Sequence, residues 1–185
     1  MNRRIMILAT AATAVAAPAL AQTLPQTQPP AHGQTGSSQQ WGEAEKTHAE
    51  KSAMIGTASL QMANIALEKA ARPKVKEFAQ FEHDEQTTVA AVLKSMEPDL
   101  SPPSPPAEVA QAIDRLKQLK PGLAFDREFV AAQVKGHEML RGIQQDYLNA
   151  GKDREAVNTT KLILGMINEH LTLLSDLQVT HLARL

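Results

Sequence analysis

The breaks between helical patterns constrain the fold of this 185-residue chain more than any other feature. Four segments carry apolar residues at helical spacing, at about residues 48–71, 73–96, 125–149 and from Asp153 nearly to the C-terminus. Arg72-Pro73 separates the first two and Gly151 separates the last two, so a tight turn joins the helices of each pair. The two pairs are separated by residues 97–124, which begin with the proline-rich run EPDLSPPSPP. No segment alternates apolar and polar residues, so no strand is predicted.

Two antiparallel helix pairs with apolar faces predict a four-helix bundle. Thr47 and Glu50 fit a capping box for the first helix, and Asp153 can cap the fourth. The long link carries a short amphipathic segment, about residues 107–119, with Ser104 as its N-cap. A link of this length can run from one end of the bundle to the other, which sets the third helix parallel to the second. The predicted fold is therefore all-α, a ferritin-like four-helix bundle with an extra helix in the crossover.

The first 21 residues have the pattern of a secretory signal peptide. Arg3 and Arg4 precede an apolar stretch, and Ala19 and Ala21 supply the small residues that a signal peptidase reads. The apolar stretch is shorter than the roughly 20 residues of a membrane-spanning helix, which disfavours the alternative of an uncleaved anchor. We therefore predict a signal peptide over residues 1–21, a disordered Pro/Gln/Ser-rich tether over 22–45 and the bundle domain over 46–185.

These features predict an exported protein, periplasmic or associated with the envelope through its tether. Cleavage leaves 17 basic and 20 acidic residues, so the charge gives no reason to expect binding to nucleic acid or to an anionic membrane surface. The chain has no cysteine, which excludes disulfides, thiolate metal sites and cysteine nucleophiles. No second apolar run approaches membrane-spanning length, so no transmembrane segment is predicted after cleavage. The sequence identifies no partner.

A polar cluster interrupts the apolar face predicted for the second helix. The stripe at helical spacing consists of Phe78, Phe81, Glu85, Thr88 and Val92. This spacing predicts that Glu85 points into the core and that Glu82 lies at its edge. It also predicts that His83 and Asp84 face water.

Two histidines occupy comparable positions on the third and fourth helices. His170 lies between aliphatic residues on the buried stripe of the fourth helix, and His137 lies at the edge of the buried face of the third. Glu85 and His137 each lie 12 residues after the start of their helix, and His170 lies a similar distance before the end of an oppositely directed one. With a rise of about 1.5 Å per residue, these three residues and Ser59 should lie at one level of the bundle.

Two interpretations of Glu85, His137 and His170 are open. One is a buried hydrogen-bonded network, which we favour because histidines on apolar helix faces are usually partnered core residues. The other is a site for a single divalent ion, since two imidazoles and a carboxylate suit zinc, iron or manganese. A di-iron oxidase is disfavoured, because the Glu-x-x-His pairs that such centres use are missing. We predict no catalytic residue, and no cofactor apart from that alternative metal ion.

Three segments, ASLQMANIALEKAARPKVKEFAQ, FDREFVAAQVKGH and INEHLTLLSDL, resemble an exported bacterial family of ferritin-like fold. The family is known as domain of unknown function number four-one-four-two, and its members are often labelled outer-membrane proteins. The resemblance covers residues 46–177, and its better motifs are the Phe-Asp start of the third helix, His137 and the pair Glu169-His170. Family members tend to carry glutamate where Ser59 stands and an Asp-His pair where Glu85-Gln86 stands. The resemblance therefore implies a polar centre to which the first helix pair contributes less here.

The function predicted from these features is that of a non-enzymatic exported module with a buried Glu/His network, acting in envelope maintenance or stress survival. The alternative is a ferritin-like metal-binding protein with a single degenerate site. Stoichiometric metal that is lost in a His170→Ala variant would favour the alternative. Metal-free protein that the same substitution merely destabilises would favour the module.

Overall fold

The structure, a computed structural model, describes residues 41–182. Its helices are α1 (Glu43–Lys69), α2 (Pro73–Met96), α3 (Ala107–Gln118), α4 (Leu123–Ala150) and α5 (Arg154–Leu182). This part of the chain contains no β-strand, and none of its helices has both the length and the apolar character needed to cross a membrane. The predicted signal peptide and residues 22–40 of the predicted tether lie outside the described residues.

Local sequence signals place three helix boundaries where they were predicted. Pro73 occupies the first turn of α2, which spans the predicted residues 73–96. Gly151 caps the C-terminus of α4, where its N–H donates to the Tyr147 carbonyl. The Asp153 carboxylate accepts a hydrogen bond of 2.8 Å from the Ala156 N–H and so caps the start of α5.

The start of α1 differs from the prediction. The helix begins at Glu43, five residues early and three residues before the predicted domain boundary. Thr47, the predicted cap, lies inside the helix with its hydroxyl 3.5 Å from a Glu43 carboxylate oxygen. The early turns of α1 are fixed from a distance, because the buried Glu45 accepts hydrogen bonds from the N–H groups of Lys152 and Asp153 before α5. The local signal at this start is the pair of acidic residues in the first turn, Glu43 and Glu45.

Hydrogen bonds between the start of α4 and the turn before α2 show how these two helices are oriented relative to each other. The Asp126 carboxylate at the start of α4 accepts from the N–H groups of Ala71 and Arg72, both at 2.9 Å, where α1 turns into α2. The starts of α2 and α4 are therefore neighbours, and the two helices run parallel. Residues 97–122 connect them along the length of the bundle. The predicted all-α four-helix bundle with an extra helix in the crossover is confirmed.

Helix α3 covers the groove between α1 and α4. Its exposed ion pairs, Glu108 with Lys135 and Arg115 with Glu128, show that it runs antiparallel to α4. It begins at Ala107, as predicted, but its N-cap residue is Pro106 rather than Ser104, and it ends one residue before the predicted residue 119. Its apolar face buries Val109, Ala112, Ile113 and Leu116.

The buried face of α2 is rotated relative to the predicted stripe. The residues of α2 that face the core are Val75, Phe78, Ala79, Glu82, Gln86 and Leu93. Phe81 is 49% exposed, Val92 is 36% exposed and Thr88 is also exposed, so the predicted stripe is wrong at these three positions. A carboxylate takes the interior position beside Phe78 because side chains of three other helices contact it there.

Candidate functional site

Polar side chains from all four long helices meet in the middle of the bundle. α1 contributes Ser59, α2 contributes Glu82, α4 contributes Gln133 and His137, and α5 contributes His170. All five are buried, and the Glu82 and Gln133 side chains are fully so. The predicted common level of Ser59, His137 and His170 is therefore confirmed.

Three of these side chains bring one atom each to a common point. Glu82 Oε2 lies 3.2 Å from His137 Nε2 and 3.1 Å from His170 Nδ1. The two imidazole nitrogens are 3.1 Å apart. We refer to these three atoms as the donor triangle. Phe78 closes one side of it, with its ring centroid 5.1 Å from that of His170.

The second polar atom of each triangle residue is held by a further partner. His137 Nδ1 donates to the Gln133 carbonyl one turn earlier in α4, at 2.8 Å. The Ser59 hydroxyl lies 2.7 Å from Glu82 Oε1 and within reach of the Gln133 amide. His170 Nε2 faces Glu85 Oε2 at 3.2 Å. The contact at its second polar atom thus fixes the orientation of each of the three side chains.

The structure brings the predicted residues Glu85, His137 and His170 into one cluster but exchanges the roles of two glutamates. Glu82, predicted at the edge of the core, is fully buried and contacts both histidines. Glu85, predicted to point inward, has a side chain 16% exposed and forms an ion pair with His170. The helical spacing of Phe78, Glu82 and Gln86 is the sequence signal for this face, but apolar periodicity does not select it because it places a charge in the core.

Burial and hydrogen bonding shift the pKa values of the cluster in opposing directions. Burial would raise the pKa of Glu82, but its hydrogen bonds with His137 and His170 outweigh this effect and hold the pKa below its ordinary value. Burial would lower the pKa of His170, but its hydrogen bond with Glu82 and the charge of Glu85 raise it. The pKa of Glu85 is raised, chiefly by burial.

The arrangement of hydrogens shows what the triangle requires chemically. Because His137 Nδ1 carries the hydrogen donated to a carbonyl, His137 Nε2 presents a lone pair when the ring is neutral. An ionised Glu82 can only accept hydrogen bonds. The triangle therefore needs either a hydrogen on one of its nitrogens, such as His170 Nδ1, or a metal ion between its atoms.

A second buried polar group, which the spacing of apolar residues does not predict, lies towards the start of α1. His48 Nε2 lies 2.8 Å from Gln144 Oε1, and the Gln144 amide donates to the Ser52 hydroxyl at 2.9 Å. The His48 ring stacks on Tyr147 with centroids 4.1 Å apart, and Thr160 lies at the edge of the group. We call these five residues the His48 layer.

No carboxylate makes a hydrogen bond or ion pair with His48 in the described part of the chain. Its Nδ1 is buried and has no hydrogen-bond partner among the described residues. Burial lowers the pKa of His48 and so favours the neutral ring. The layer therefore offers a single imidazole whose hydrogen-bond partners are neutral, which suits packing rather than ion binding.

Comparisons with known proteins give a family but no activity. Neither the curated proteins nor the solved structures contain a match to this chain. The family model described as domain of unknown function (DUF4142) matches residues 26–177, which include every member of the donor triangle and of the His48 layer. The match confirms the family predicted from the sequence motifs. The chain belongs to the DUF4142 family.

Proposed function

We propose that this protein binds a single divalent transition-metal ion at the donor triangle. The observation that carries the proposal is the convergence of Glu82 Oε2, His137 Nε2 and His170 Nδ1 at mutual distances of 3.1–3.2 Å. Zinc bonds of about 2.0 Å in tetrahedral geometry place neighbouring ligand atoms about 3.3 Å apart. The triangle already has nearly these dimensions.

The donor set favours particular metals. Two imidazole nitrogens and one carboxylate oxygen suit zinc, ferrous iron or manganese. Magnesium and calcium prefer shells made of oxygen atoms and are disfavoured by the two histidines. Sulfur ligands of the kind that select copper(I) are absent from the triangle.

The partners behind the triangle also support a metal. Histidines that bind metals almost always donate their other ring N–H to a carbonyl or a carboxylate, and metal-binding carboxylates are themselves hydrogen-bonded. His137 has the Gln133 carbonyl, His170 has Glu85, and Glu82 has Ser59 in these roles. The same contacts would stabilise a metal-free network with an additional proton, so the number of bound ions decides between the two.

The site suits retention of an ion rather than turnover of a substrate. Glu82 and His137 are fully enclosed, and only His170 and Glu85 reach towards the surface. The export signal predicted in residues 1–21 would place such a protein in the envelope compartment. We therefore favour a non-enzymatic role, in which the bound ion is sequestered or stabilises the bundle.

Titration calorimetry of chelator-treated protein with Zn²⁺ tests this proposal. We expect one equivalent to bind, and we expect Glu82→Gln and His170→Gln to abolish that binding. His48→Gln is the matched control, because it removes a buried histidine from the same bundle outside the triangle. Absence of binding in the unmodified protein, or binding that persists in His170→Gln and fails in His48→Gln, would contradict the proposal.

A further inference from the structure

The two histidines of the donor triangle use different ring nitrogens. His137 presents Nε2, and its Nδ1 hydrogen is fixed by a backbone carbonyl. His170 presents Nδ1 instead, so it binds a metal only when its hydrogen is on Nε2. The acceptor that faces His170 Nε2 is Glu85 Oε2, at 3.2 Å. The ring nitrogen of His170 that carries the hydrogen is therefore determined by a side chain, whereas that of His137 is determined by the backbone.

Glu85 lies behind His170 and outside the triangle. Its side chain is partly exposed between α2 and α5, and its ion pair is with the far nitrogen of the ring. Glu82 already supplies the carboxylate oxygen that both imidazoles contact. The position of Glu85 thus matches that of a carboxylate that orients a metal-binding histidine, rather than that of a ligand.

We propose that Glu85 is a positioning residue that holds the hydrogen of His170 on Nε2 and thereby makes Nδ1 available to the metal. This inference rests on the proposed function. Without an acceptor at Nε2, the hydrogen of His170 can move to Nδ1 and donate to Glu82. Nδ1 then has no lone pair available for a metal. The ring also loses the contact that fixes its orientation. Loss of such a partner typically weakens metal binding by about 10–100-fold.

Substitutions at Glu85 separate positioning from direct ligation. Glu85→Ala removes the acceptor, whereas Glu85→Gln keeps an amide oxygen that can accept the Nε2 hydrogen without a charge. Glu169→Ala is the matched control. Its carboxylate acts on Glu85 and His170 through charge, and no contact joins it to the His170 ring among the described interactions.

The experiment measures the dissociation constant of Co²⁺, together with its visible absorption spectrum, for the unmodified protein and each variant. We expect Glu85→Ala to bind one equivalent about 10–100-fold more weakly, with an altered spectrum because the His170 ring is no longer held. Glu85→Gln should recover most of the affinity. Glu169→Ala should match the unmodified protein in both affinity and spectrum.

Three results would overturn the inference while leaving the metal site intact. An unchanged dissociation constant in Glu85→Ala would show that Glu85 has no role in binding. Complete loss of binding in both Glu85→Gln and Glu85→Ala would show that Glu85 is itself a ligand. A lowered unfolding temperature in metal-free Glu85→Ala with unchanged affinity would show a purely structural role. Failure of the unmodified protein to bind Co²⁺ or Zn²⁺ would instead refute the proposed function.

Discussion

The donor triangle and the His48 layer both bury histidine in the helical bundle, but they stabilise the buried ring in different ways. In both, the dominant effect of burial is to disfavour the charged ring. His170 has two carboxylates within 3.2 Å, and its pKa is raised. His48 is paired with an amide, and its pKa is lowered. The two carboxylates that contact His170, and that have no counterpart in contact with His48 among the described residues, account for the opposite directions of the two pKa shifts.

This difference supports the proposal of a metal site at the donor triangle rather than at the His48 layer. The His48 layer pairs neutral donors and acceptors one by one and leaves a single nitrogen unused. The donor triangle directs three atoms with lone pairs at one point, an arrangement that needs a hydrogen on one nitrogen or a metal ion between them. A buried histidine alone is therefore a weak indication of a site, and convergence with a carboxylate is a stronger one.

The largest effect on stability should follow from removal of the central carboxylate. Glu82→Ala leaves Ser59, His137 and His170 without their shared acceptor, and we expect the metal-free protein to lose about 3–5 kcal/mol of unfolding free energy. Urea denaturation measures this loss. Glu77→Ala, on the exposed face of the same helix, should change stability by less than about 0.5 kcal/mol. A loss at Glu82 no larger than that at Glu77 would remove the distinction between the triangle and ordinary surface charge.

Metal should stabilise the fold through the triangle alone. With Zn²⁺ at 100 times its dissociation constant, the unfolding free energy should rise by about 2.7 kcal/mol in the unmodified protein and in His48→Gln. His137→Gln should show no such increase. Thermal unfolding followed by circular dichroism with and without Zn²⁺ measures these differences. An equal response in the two histidine variants would make the two regions equivalent.

Near the His48 layer, the charge of Glu45 contributes to the stability of the fold. Hydrogen bonds from the Lys152 N–H and other groups before α5 lower the pKa of this glutamate in the folded protein. The resulting stabilisation is complete above the pKa of an unfolded glutamate and is lost as pH falls through the lower folded value. Glu45→Gln should therefore cost about 1–3 kcal/mol at pH 7, and less below pH of about 4. Denaturation at both pH values measures the difference, and a cost that grows in acid would contradict this sign.

The smallest effect should come from making the His48 layer apolar. His48→Leu alone leaves Gln144 Oε1 without a donor, and we expect a cost of about 1–3 kcal/mol. The double variant His48→Leu/Gln144→Leu removes both partners, so its net cost should be below that of the single variant and within about 1 kcal/mol of zero. Urea denaturation of the two variants gives the comparison. A double variant less stable than the single one would show that the layer is a cooperative network like the triangle.

Elements defined by local signals could be predicted from the sequence, and those defined by distant contacts could not. Pro73 and the proline-rich run after Met96 fix the ends of α2, and Gly151 and Asp153 fix the turn before α5. The start of α1 is set by Glu45, whose partners lie more than 100 residues away. No rule of helix capping identifies such a contact.

The same distinction between local signals and distant contacts explains why only part of the candidate site could be predicted. The histidines follow from helical spacing and from the antiparallel topology, which place His137 and His170 at one level. Glu82 and Glu85 lie three residues apart on one helix, and apolar spacing favoured the stripe through Phe81 because an aromatic ring is expected in the core before a charge. The buried carboxylate is stabilised by Ser59, His137 and His170 together, and no single segment of the sequence contains that combination.

The most direct test is the position of a bound ion in a crystal. Anomalous diffraction at the zinc edge, from crystals grown with one equivalent of Zn²⁺, locates the metal independently of its effect on stability. We expect one peak at about 2.0–2.2 Å from each of Glu82 Oε2, His137 Nε2 and His170 Nδ1. Crystals that carry zinc only on surface side chains, with Glu82 and the two imidazoles still bonded directly to one another, would contradict the proposed metal site.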